Sequence, residues 1–115
     1  MAEFDVIEFR ARLRAAVREA LRSRDSHAIA ALRSLASAID NAEAVGGSSA
    51  PGVRIGVGVG DVGRRRLSLA DVDRVVASEI GERDEAACEY ERLGRVEQAD
   101  ALRAEISVLE RFRAR

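Results

Sequence analysis

The chain has no lysine and no tryptophan, and only one cysteine, one proline and four aromatic residues in 115. Each shortage excludes something. With Cys88 alone, an intrachain disulfide is impossible, and the composition fits a reducing compartment. With only Phe4, Phe9, Tyr90 and Phe112 as aromatics, the core must come from Leu, Ile, Val and Ala, and helices are expected to approach closely through alanines. No apolar run reaches the length of a membrane span, and the N-terminus lacks a basic-then-apolar signal layout. A cytoplasmic chain with no membrane partner is expected. The lack of lysine makes every basic group except His27 a guanidinium, the group suited to phosphate and carboxylate recognition. A GC-rich coding sequence explains the same bias, and the abundance of Ala, Gly, Val and Asp, more plainly.

Apolar residues make up 47% and charged residues 34%, as in a helical protein with an ion-laced surface. The net charge of −1 conceals an asymmetry. Residues 1–45 carry seven Arg and seven acids, residues 46–70 four Arg against Asp61, and residues 71–115 eight Arg against twelve acids. A uniformly basic nucleic-acid binder is therefore not the default.

Four helices are legible. Asp5 with Glu8 three residues on resembles a capping box, and Phe4 and Phe9 stand where a hydrophobic staple would place them. Val6, Phe9, Leu13, Val17, Ala20 and Leu21 form the stripe of the first helix. Asp25 or Ser26 can cap a second helix whose stripe is Ile29, Leu32, Leu35, Ala36, Ile39 and Ala42. Ser68, with Asp71 in the first turn, caps a third that carries Val72, Val75, Val76, Ile80, Ala87 and Tyr90. Gly94 breaks the chain, and Ala99, Leu102, Ile106, Leu109 and Phe112 continue on a fourth. Both breaks are short, so neighbouring helices must run antiparallel. The expected fold is all-α: a helical hairpin over 5–45, a linker over 46–67 and a long hairpin over 68–113, in one domain.

The linker holds seven of the nine glycines and the only proline, Pro51. Val53, Ile55, Val57 and Val59 alternate within it, which is compatible with a weak β-hairpin turning at Gly60-Asp61. Gly58-Val59-Gly60-Asp61-Val62-Gly63 fits the dinucleotide-binding pattern. That pattern needs a strand before it and a helix opening directly after it. Here Arg64-Arg65-Arg66 and Leu67 intervene, so the match reads as chance and no cofactor is expected.

The other candidates are charges. Arg10, Arg14, Arg18 and Arg22 recur at intervals of four along one side of the first helix. Four like charges in a row repel, so they call for either acids of another helix or a polyanion. The acid-rich third helix, with Glu79, Glu82, Asp84, Glu85, Glu89 and Glu91, offers the intramolecular answer. Arg64, Arg65 and Arg66 can engage phosphate, or simply keep the linker soluble. Arg83 and Asp84 interrupt the apolar stripe of the third helix, which suggests a half-buried charge contact. His27 has no neighbouring ligand for a metal, Cys88 has no identifiable partner, and no constellation resembles a catalytic site.

Taken together, the segments resemble the GatB/YqeY family. Arg24-Asp25, Leu32-Arg33, Leu35, Ala38-Ile39 and Asn41-Ala42-Glu43 resemble its first hairpin. Glu79-Ile80, Glu82-Arg83, Glu85-Ala86-Ala87, Tyr90-Glu91, Gly94-Arg95, Ala99, Glu105 and Val108-Leu109-Glu110 resemble its second. The likeness spans residues 9–112 and rests on dispersed positions rather than one sharp motif. It implies an all-α fold and kinship with the helical C-terminal region of the B subunit of the tRNA-dependent Asp/Glu amidotransferase, a carbon–nitrogen ligase with glutamine as amido donor. There the helical region helps hold tRNA while a separate domain performs the chemistry. The resemblance thus implies a non-catalytic module whose partner is tRNA or an amidotransferase or other translation protein. Stand-alone members continue through a Leu-Pro break into a further helical domain; this sequence ends at Phe112-Arg113-Ala114-Arg115, so that domain is expected to be absent. The alternative function is a small helical protein–protein interaction domain, dimeric in one version.

Overall fold

A computed structural model describes residues 2–46 and 66–114, with side chains from residue 6 and, in the first segment, up to residue 44. Four helices follow in order: α1 (Ala2–Ser23), α2 (Ser26–Gly46), α3 (Leu69–Arg92) and α4 (Val96–Glu110). They form the two expected hairpins, and the described residues contain no strand. The alternating Val53–Val59 segment, Arg64 and Arg65 lie outside the described residues, as do the side chains of Phe4 and Asp5.

Both hairpin turns use the same device. In the first, the N–H groups of Arg24 and Asp25 donate to the carbonyls of Leu21 and Ala20 at 3.2 and 3.0 Å. In the second, Gly94 and Arg95 donate to Glu91 and Tyr90 at 3.0 and 2.8 Å. These are paired Schellman bonds, which satisfy the carbonyls a helix leaves open at its end. Asp25 then caps α2 by accepting from the Ala28 N–H at 3.1 Å. Ser68 caps α3 in a full capping box with Asp71, each side chain accepting from the other's backbone N–H at 3.0 Å. Asp5 does not stand at the N-cap position: α1 already begins at Ala2, so Asp5 lies inside the helix. Ala-Glu-Phe before it can all be helical, and a cap is only needed where a helix stops.

The core is centred on α2, which packs against α1, α3 and α4. Ala31, Leu32, Leu35 and Ile39 are at most 1% exposed. Val6, Phe9, Leu13 and Ala20 approach from α1, Leu67, Val72 and Val76 from the α3 side, and Leu109 and Phe112 from the end of α4. Further along the long hairpin no third helix contributes, and the seam closes through Ala87 and Ala99, both buried. Alanines do mediate the close approach. Leu102 and Ile106 are only half-buried there, and Leu21 is 45% exposed. Periodicity marks the face a helix turns inward, but a neighbour must also reach that far to cover it.

The half-buried charge contact at Arg83 is present. Its Nε and Nη1 lie 2.8 and 3.0 Å from Glu105 and Glu79, with all three side chains at most 16% exposed. Ser34 of α2 donates a 2.7 Å hydrogen bond to the same Glu79 oxygen. Burial pulls the Arg83 pKa down, but the hydrogen bonds it donates to Glu105 and Glu79 outweigh that and the guanidinium stays charged. Asp84, by contrast, is exposed and pairs with Arg103 of α4.

Candidate functional site

Between α1 and α2 lies an open groove of about 420 Å³. Its lining comes from Leu13 and Val17 of α1 and Ala36 of α2, with Arg10, Arg14, Arg18 and Asp40 around them. The i, i+4 spacing of the arginines places them along one edge of this groove. Their states differ. Arg10 is tied down by α2, with Nη1 3.4 Å from Asp40 and Nη2 2.8 Å from Glu43. Arg22 pairs at 2.7 Å with Glu19 of its own helix. Arg14 and Arg18 are exposed and, among the described residues, make no ion pair or side-chain hydrogen bond. Arg33, one turn before Ala36 on α2, is likewise exposed and unpaired.

The acids of α3 do not answer this stripe. Glu79 is held by Arg83, Asp84 and Glu91 by Arg103, and Glu89 by Arg92. The reason is geometric. α1 approaches α3 at its first turns, where Phe9 and Arg12 line a cleft with Val72 and Asp73. The acid-rich part of α3 lies further along and faces α4. Arg66 is exposed and already has an interaction within the molecule, so it is not an idle cation.

A second basic cluster, which the sequence pattern did not single out, surrounds Phe112. Phe9 meets its ring edge-on at 5.7 Å between centroids, and the Arg12 guanidinium sits 5.0 Å over its centroid. Arg12 also donates to the Arg111 carbonyl at 3.2 Å. Arg113 grips Asp73 through two hydrogen bonds of 3.0 and 3.2 Å, and the Ala114 N–H adds a third at 2.8 Å. These bonds hold the Asp73 carboxyl below the usual carboxylate range. All of these groups are spent on anchoring the end of α4. The signal for them was weak in sequence, since it depends on residues from 40 to about 100 positions apart.

Among the described residues no group of His, Cys, Asp and Glu is arranged to hold a metal ion. His27 is exposed on the first turn of α2, and Cys88 is exposed with the Arg103 Nη2 3.5 Å from its sulfur. Among the described residues no helix is long and apolar enough to cross a membrane. Comparison with protein-family models, with curated proteins and with solved structures finds no match.

Proposed function

We propose that the chain is a non-catalytic, GatB/YqeY-like helical module that engages tRNA, alone or on an amidotransferase, through the α1–α2 groove. The observation that carries this reading is the unpaired state of Arg14 and Arg18 on the groove, with the equally unpaired Arg33 on α2. The molecule is rich in acids, yet among the described residues none neutralises these three guanidiniums. Guanidinium pairs with phosphate in a bidentate, charge-assisted manner, and such contacts need no base specificity. Because only three free cations are involved, the binding is weak, and because it is electrostatic it falls as salt rises. The test is fluorescence anisotropy of labelled tRNA at low and physiological salt. Arg14→Glu with Arg18→Glu abolishes binding while the helical circular dichroism is retained; equal binding by parent and variant refutes the reading.

A second reading, a protein-interaction domain, is favoured by a different observation. Leu93 and Val96, on either side of the Gly94 turn, are 54% and 60% exposed. Large aliphatic side chains at a hairpin tip contribute nothing to the fold and are suited to burial against another protein.

A further inference from the structure

We propose that the tip of the α3–α4 hairpin docks into the α1–α2 groove of a second copy of this chain. The inference rests on the protein-interaction reading and gives that reading a partner. Each surface supplies what the other lacks. The groove has an apolar floor of Leu13, Val17 and Ala36 and a rim that includes the unpaired Arg14 and Arg18. The tip has Leu93 and Val96 projecting from a surface whose exposed, unpaired acids are Glu97 and Asp100. Arg95 is the opposing unpaired cation there, so the tip remains net acidic.

The tip is not satisfied within its own molecule, since Leu93 and Val96 stay more than half exposed. The molecule is elongated, 50 × 29 × 26 Å, and the distal seam of Ala87 and Ala99 lies outside the common core. Groove and tip are different surfaces of one chain. Two copies related by a two-fold axis can therefore satisfy both contacts at once, closing the assembly as a dimer. Opposite charges at the rims steer the encounter and fix the register, and the aliphatic side chains entering the floor supply the burial.

Sedimentation velocity across a concentration series at low salt tests this. The parent is expected to pass from 12.4 kDa to twice that mass. Reversing the rim (Arg14→Glu with Arg18→Glu) or the tip (Glu97→Arg with Asp100→Arg) weakens association at least about tenfold. Mixing the two reversed proteins restores the dimer, because each groove then faces a tip of opposite sign. Val96→Ser, read alongside circular dichroism, repeats the tip test without altering charge. A parent that stays monomeric, variants that associate like the parent, or a mixture that stays monomeric each overturns the proposal. If the parent is monomeric while the rim variant loses tRNA, the groove belongs to nucleic acid. If mixing restores the dimer and tRNA does not bind, the tRNA reading fails and this one stands.

Discussion

Arg24 and Gly94 occupy the same conformational position in the two hairpins, with φ of +57° and +78°. Each is the left-handed residue of a Schellman turn, but only one is glycine. The left-handed region costs an L-residue roughly 1–2 kcal/mol, whereas glycine enters it freely but loses about 0.5–1 kcal/mol more chain entropy on folding. Arg24→Gly should therefore stabilise the protein by about 0.5–1 kcal/mol. Gly94→Ala should destabilise it by about 1 kcal/mol. No atom lies within 4 Å of a Cβ built on Gly94, so the cost is conformational and not a clash. Thermal melts of the two variants should move in opposite directions.

The Glu79–Arg83–Glu105 network should fail when its cation is removed. Arg83→Met leaves two half-buried carboxylates without a counter-charge, at a cost of about 2–3 kcal/mol at pH 7, a little below the range for fully buried pairs. Urea melts of parent and variant check this. A loss below about 1 kcal/mol, the range of exposed ion pairs, would contradict it.

Asp73 makes its contribution to stability in a pH-dependent way. Its carboxyl is lowered from the ordinary 3.8 by the hydrogen bond from Arg113 and then that from the Ala114 N–H. A lowered folded pKa stabilises above the unfolded pKa, and the benefit disappears as pH falls through the folded value. Asp73→Asn should be less stable than the parent by a constant margin from pH 5 to pH 7. That margin should shrink below about pH 4. The charge state of Asp73 can be followed directly by carboxyl carbon NMR.

The core should respond according to cover, not to hydrophobicity. Leu35→Ala, at a fully buried position of α2, is expected to cost about 2–5 kcal/mol. Leu102→Ala, at a half-buried position of α4, should cost about 1–2 kcal/mol, since part of that side chain already contacts water. Denaturant melts giving equal losses would contradict a core centred on α2.

The two leucines also show how far the sequence could be read. Local features were legible: the Ser68–Asp71 capping box, the Gly94 break and the helical faces depend on residues within one or two turns. The interruption at Arg83 was legible too, because a charge in an apolar stripe demands a partner. What depends on the neighbour was not. The partners of Arg10 came from Asp40 and Glu43 on α2 rather than from the acids of α3. The exposure of Leu21 and the anchoring of Phe112 by Arg12 follow from where helices end and cross. The α1–α2 groove shares that limit: the stripe of arginines was visible, but which of them remain unpaired was not.

The central claim, that the unpaired guanidiniums of the α1–α2 groove hold a polyanion, is tested most directly by the salt dependence of tRNA affinity. Three phosphate contacts from Arg14, Arg18 and Arg33 predict a slope of log K against log salt between about −2 and −3. Removing two of them by Arg14→Gln with Arg18→Gln should reduce that slope by about 2. Arg22→Gln, which removes a cation already paired with Glu19, should leave it unchanged. A slope that does not respond to Arg14 and Arg18, or one that falls equally with Arg22, would contradict the account.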